Sequence, residues 1–154
     1  MKIPADLLDE TSPSSLPAEA PKRIQRKRVK GWKMPEGAIY VGRPGKYGNP
    51  IRITPERGDR GSAMYRVHGS PMDRHGGPAY ALAETARYFA VKFFEWDLLN
   101  DRYGAGYPSL DDIRRELAGK NLACWCPLPD PRETDWCHAR ILLNIANRDW
   151  PAHV

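Results

Sequence analysis

The chain has 154 residues and a formal net charge of +5, a size that fits one domain and buries a core without disulfide staples. Its three cysteines leave at least one thiol unpaired, and Cys124 and Cys126 are too close along an extended strand to bridge each other comfortably, so a disulfide scaffold is excluded and a reducing compartment is expected. The start of the chain has no secretory pattern, and no uncharged apolar run reaches the roughly 18 residues that span a bilayer, so the expectation is a cytoplasmic protein with no membrane partner.

Charge is unevenly placed. Residues 1–21 sum to −3, residues 22–33 hold seven cations and no acid, and the remainder sums to +1. Residues 10–21, ETSPSSLPAEAP, are rich in Pro, Ser and Ala and bury little, so 1–21 is predicted to be a flexible leader and 22–154 a single domain. In the basic segment, Arg23, Arg26, Arg28 and Lys30 with Trp32 form a candidate nucleic-acid contact, the cations on phosphates and the indole on a base. A solvated arm or a charge-protected edge strand would have the same composition.

Ala38–Val41 and Ile51–Thr54 read as short strands. Between them, VGRPGKYGNP (41–50) has the parts of an anion-binding turn: glycines for close approach, Arg43 and Lys46 for charge, Asn49 at the closing turn and Tyr47 as a face for a base or sugar. It matches neither GxxxxGK[ST] nor GxGxxG, and a plain solvated turn has similar residues. Residues 55–78 are dense in Gly, Arg, Asp and Pro and are predicted to form a long loop, whose Arg57, Arg60, Arg66 and Arg74 extend the basic surface if it folds back.

From Ala79 to about Asn100 the positions Leu82, Ala86, Phe89, Phe93 and Trp96 recur at helical spacing, with Glu84, Arg87, Lys92 and Glu95 on a polar side. Ser109 resembles an N-cap for a second helix with Ile113 and Leu117 inward and Gly119 past its end. Leu122–Trp125 reads as a buried strand, and Asp135 as the cap of a last helix that buries Ile141, Leu142 and Ile145. The fold class expected is α/β, one compact domain with a small mixed or parallel sheet flanked by helices.

All three cysteines lie between Leu122 and Ile141. On a strand, Cys124 and Cys126 share a face, a pair that suits a soft metal; Cys137 or His138 returning from the loop could complete the set, with Cys124, Cys126 and Cys137 the candidate metal ligands and zinc the fitting ion. Adjacent residues of a helix diverge by about 100°, so joint ligation by Cys137 and His138 is not expected. A second reading makes Cys137 an activated thiol at a helix start, with His138 or His75 as its proton partner. A third makes the cysteines packing residues, since free Cys is commonly buried.

Taken together, KGWKMP (30–35), VGRPGKYGNP (41–50), LAGKNLACWC (117–126) and CHARILLNIAN (137–147) resemble a small family of bacterial and bacteriophage domains of unknown function, over roughly residues 23–148. The resemblance implies a compact cytoplasmic α/β domain, in a bacterial or phage-infected cell, in which Arg43, Asn49, Cys124, Cys126, Cys137 and His138 belong to the family pattern. The segment Pro127–Trp136 is longer than the family's corresponding loops. The functional expectation is a pocket in which the Arg43–Asn49 loop and the Cys/His cluster meet around a phosphorylated, nucleotide-like ligand. Arg43, Lys46 and Asn49 would bind phosphate, and any chemistry would fall to Cys137 and His138. The alternatives are a nucleic-acid-binding accessory protein with a structural zinc site and a viral structural or interaction protein docking through its leader.

Overall fold

The computed structural model describes residues 20–147. The leader expected at 1–21 therefore lies almost wholly outside the described residues, as do positions 148–154 of the expected domain. The elements in chain order are β1 (Arg23–Gln25), β2 (Ile39–Tyr40), β3 (Arg52–Arg57), β4 (Ala63–His68), β5 (Ala79–Tyr80), α1 (Ala83–Leu99), a 3-10 turn (Gly104–Gly106), α2 (Leu110–Leu117), β6 (Leu122–Cys124) and α3 (His138–Asn147). They form one mixed α/β unit with two three-stranded sheets rather than the single sheet expected. Among the described residues no helix is long and apolar enough to cross a membrane.

The first sheet is parallel, with order β1-β6-β2. Leu122 pairs with both Arg23 and Ile39, and Ala123 with Ile24 and Tyr40. Leu122, Ala123 and Cys124 are all buried, the continuous burial expected of a central parallel strand. The ladder runs on past the strand ends, with Arg26 N–H donating to the Cys124 carbonyl and Val41 N–H to that of Ala123, each at 2.9 Å. The start of the basic segment is thus an edge strand of this sheet.

The second sheet is antiparallel, β3-β4-β5, and it corrects the expected long loop. Residues 58–62 turn the chain, Gly58 N–H donating to the Ser62 carbonyl at 2.8 Å and Gly61 adopting φ +77°. Ile53 then pairs with Val67, which is wholly buried. Polar and glycine-rich composition masked this hairpin because Arg66 stands in its middle, neutralised there by Glu56 (2.6 Å).

Helix α1 packs on the second sheet and on α3. Its first expected residues, Ala79 and Tyr80, pair with β4 instead. Its buried face is Ala86, Ala90, Val91, Phe94 and Leu98, rotated from the stripe expected, since Leu82 and Trp96 are exposed. Two apolar stripes of the same period run along this helix; Phe89 on the second stacks on Tyr80 at 4.8 Å and covers the small sheet. Helix α2 begins as expected: Ser109 Oγ accepts from Asp112 N–H at 3.1 Å and the Asp112 carboxylate accepts from Ser109 N–H at 3.3 Å, a closed capping box. Ile113, Leu117, Ile141, Leu142 and Ile145 all enter the core. Asp135 does not cap α3; it pairs with Arg23, and its carbonyl accepts from Arg140 Nε.

Candidate functional site

The cysteines converge because three pieces of chain end at one place: the C-terminal end of β6, the bend after it, and the residue before α3. The Cys124 and Cys126 sulfurs are 3.8 Å apart, and those of Cys124, Cys126 and Cys137 all lie within 4.8 Å of one another, a set that could hold a metal ion. All three are free thiols. The geometry also removes the objection to Cys137 and His138 acting together. Cys137 is not inside a helical turn; α3 starts at His138, and the Cys137 carbonyl accepts from Arg140 N–H at 3.0 Å as a capping residue's would. Cys137 Sγ and His138 Nδ1 consequently lie 3.9 Å apart.

The imidazole's tautomer follows from its surroundings. His138 Nε2 lies 2.7 Å from the Val41 carbonyl oxygen and 3.1 Å from that of Tyr47. Carbonyls only accept, so Nε2 carries the proton and, in the neutral ring, Nδ1 presents a lone pair toward the sulfurs. The glycine-rich turn thereby reaches the cluster through its backbone.

The thiols are electrically coupled. The Cys124 thiol is held far below its ordinary range, first by hydrogen bonding from Cys126, then from Cys137 and, less, His138. The Cys126 and Cys137 thiols are pushed up, first by the same Cys124 sulfur.

Above the cluster opens a cavity of about 480 Å³ lined by Arg43 and Asn49 from the turn, Arg52 and Thr54 from β3, Arg87 from α1, Trp125, Trp136, the three cysteines and His138. The turn and the Cys/His cluster, which are far apart in sequence, therefore share one wall. The guanidiniums of Arg43, Arg52 and Arg87 have no ion-pair or hydrogen-bond partner among the described residues, and no carboxylate lines this cavity. A neighbouring groove past Trp136 shares Arg87 and carries Glu84, Glu133 and Asp135.

Arg43 is positioned by its turn. Gly45 N–H donates to the Gly42 carbonyl at 3.1 Å and Gly48 N–H to that of Gly45 at 2.9 Å; the Arg43–Pro44 peptide is cis. Tyr40 Oη donates to the Arg43 carbonyl at 2.6 Å. A Cβ at Gly48 would stand 2.8 Å from Arg43 Cγ, so only glycine lets the turn close on that side chain. Asn49 Oδ1 accepts from Ile51 N–H at 2.9 Å, shaping the exit from the turn.

Other expected site residues fall elsewhere. Lys46 turns away to Glu116 at 2.6 Å. Tyr47 is a core residue at 4 % exposure whose hydroxyl donates to Glu116 and whose carbonyl receives Tyr107 Oη at 2.8 Å, so it presents no face to a ligand. Arg23 is buried, ion-paired with Asp135, and donates to the Cys126 and Pro127 carbonyls at 2.8 and 2.7 Å. Arg26 and Arg28 stack on the Trp125 ring at 4.6 and 4.7 Å, and Arg26 also on Tyr40 at 4.6 Å. Lys30 is exposed and Trp32 half-buried. His75 is exposed on the loop after β4 and does not line the cavity. Arg66 is consumed by Glu56. The cavity arginines that sequence reasoning missed are Arg52, read only as part of a strand, and Arg87, read as the polar side of a helix. No local signal separates either from an ordinary surface arginine.

Fold and site define a small α/β domain with a Cys/His cluster at the base of an arginine-lined cavity. The chain belongs to the DUF4326 family, a domain of unknown function whose sequence pattern matches residues 24–148. The resemblance drawn from its motifs therefore holds at the level of the family. No curated protein and no solved structure matches the chain.

Proposed function

We propose that the cavity binds a phosphorylated, nucleotide-like ligand and that Cys124, Cys126 and Cys137 hold a zinc ion at its base. The observation that supports the ligand is the lining: Arg43, Arg52 and Arg87 have no ion-pair or hydrogen-bond partner among the described residues, and no described carboxylate lines this cavity. Guanidiniums left without protein acids around a concavity are arranged for an external anion, and their planar fork matches phosphate oxygens. A volume of about 480 Å³ falls within the range of small-molecule sites, and the indoles of Trp125 and Trp136 offer apolar surface for a base. The sulfur set favours zinc over hard cations because thiolates are soft donors. Cys137 is 1 % exposed and its thiol is pushed up by the neighbouring sulfurs, both of which tell against a free nucleophile.

A second reading makes the bound nucleotide part of a strand of nucleic acid. It draws on Arg26 and Arg28 stacked over Trp125, which places two cations beside the cavity mouth.

Titration of the zinc-loaded protein with nucleoside di- and triphosphates and with inorganic pyrophosphate, followed by tryptophan fluorescence, tests the proposal. Each of Arg43→Gln, Arg52→Gln and Arg87→Gln is expected to weaken binding by about 10- to 100-fold, the range of a lost charge-assisted contact, without lowering thermal stability. Absence of binding at millimolar concentrations, or affinities indifferent to all three substitutions, refutes it. Single-stranded oligonucleotides binding tightly while free nucleotides do not would favour the second reading.

A further inference from the structure

We propose that His138 Nδ1 is the fourth ligand of the metal, closing a Cys3His centre in which zinc is a structural tie and has no open position for a reacting water. The inference rests on the zinc reading above and deepens it by assigning the ion's last coordination site.

Two of the separations match a closed site, and the three sulfurs lie within 4.8 Å of one another. In a tetrahedral site with zinc–sulfur bonds of about 2.3 Å, neighbouring sulfurs stand about 3.8 Å apart and a sulfur and an imidazole nitrogen about 3.6 Å apart. The Cys124–Cys126 separation is 3.8 Å and the Cys137 Sγ to His138 Nδ1 separation 3.9 Å. The ring is also held for ligation: the only proton of the neutral imidazole is engaged at Nε2 by the Val41 and Tyr47 carbonyls, leaving Nδ1 as the lone-pair donor. Donation of the distal ring N–H to a carbonyl is how metal-binding histidines are usually oriented. His138 is 6 % exposed, and the Phe94 ring packs edge-on at 5.8 Å, so the imidazole has little room to turn toward solvent.

A closed centre has a mechanical consequence. It joins the end of the central parallel strand, the bend after it and the start of α3, and through His138 Nε2 it fixes the backbone of the turn that presents Arg43. Arg23 braces the same loop from behind through the Cys126 and Pro127 carbonyls. Zinc then shapes the arginine-lined cavity without entering its chemistry.

The test is X-ray absorption at the zinc edge on full-length protein purified without added metal, with zinc content measured on the same samples. The expected result is one zinc per chain surrounded by three sulfurs at about 2.3 Å and one nitrogen at about 2.0 Å with imidazole multiple scattering. His138→Cys is expected to retain one zinc and convert the shell to four sulfurs. In the cobalt-substituted form it should strengthen the sulfur-to-metal charge-transfer band while keeping tetrahedral d–d bands. A wild-type shell of three sulfurs and one oxygen, or a His138→Ala protein with an unchanged shell, overturns the assignment of His138 and leaves zinc binding intact. Protein that folds and takes up no zinc overturns both.

Discussion

Arg23→Met separates a brace from a binding arm. The guanidinium is 4 % exposed and makes three interactions: Nε to the Asp135 carboxylate and its two terminal nitrogens to the Cys126 and Pro127 carbonyls. Methionine keeps the stem and removes all three, leaving a carboxylate at 17 % exposure and two carbonyls without donors. Removing one partner of a buried pair costs about 3–5 kcal/mol. Asp135 can turn partly toward water, so the lower end, about 3 kcal/mol, is expected. For a domain of this size each kcal/mol lowers Tm by about 2–4 °C, giving a drop of roughly 6–12 °C. The assay is urea unfolding at neutral pH with zinc held constant, on wild type, Arg23→Met, Asp135→Leu and the double variant. The double variant should recover much of the loss, because replacing both charges removes the unpaired one. A loss below about 0.5 kcal/mol, the range of ordinary surface positions, would refute the bracing role and restore Arg23 to the solvated arm.

Other outcomes can be measured on the same protein. Gly48→Ala should weaken nucleotide or pyrophosphate binding, because its Cβ displaces Arg43 Cγ from 2.8 Å; fluorescence titration beside a thermal melt distinguishes this from unfolding. Phe94→Ala should cost about 3–5 kcal/mol in urea unfolding, since the ring is wholly buried and packs on Tyr107 and His138. The Glu116 carboxyl is held below its ordinary value of 4.5, first by Lys46, then by Tyr47. Its contribution is complete above that ordinary value and is lost as pH falls through the depressed folded one, so Glu116→Gln should flatten the stability profile below about pH 5 while changing its shape little near neutrality. Chelation of the proposed zinc should loosen α3 and the 126–137 loop first, visible as hydrogen exchange in those segments before the antiparallel sheet opens.

The family resemblance and the overall class were legible because their signals are local. Ser109 with Asp112 caps a helix within four residues, Leu122–Trp125 announces a buried strand by composition, which forms over Leu122–Cys124 and leaves Trp125 exposed, and Ile141, Leu142 and Ile145 repeat at helical spacing whatever surrounds them. The C-x-C spacing marked Cys124 and Cys126 as a pair, although Cys126 lies in the bend after β6 and not on the strand. The hairpin partner β4 was not legible, since its central Arg66 reads as loop until Glu56 arrives across the strand. Nor was the buried face of α1, where two apolar stripes compete and only the neighbouring sheet and helix decide which turns inward.

The sequence by itself determined the capped start of α2, the buried strand β6 and the helical period of α1 and α3, because capping, periodicity and spacing act over a few residues. Tertiary structure decided what each cation does. Arg23, Lys46, Arg52 and Arg87 are chemically similar in the sequence. Asp135 pairs with the first and Glu116 with the second, while among the described residues no acid pairs with the last two. It also decided that Cys137 stands just outside α3, with its sulfur 3.9 Å from His138 Nδ1. A charge acquires its role from the partner that folding brings to it, and for Arg23 that partner is encoded 112 residues away.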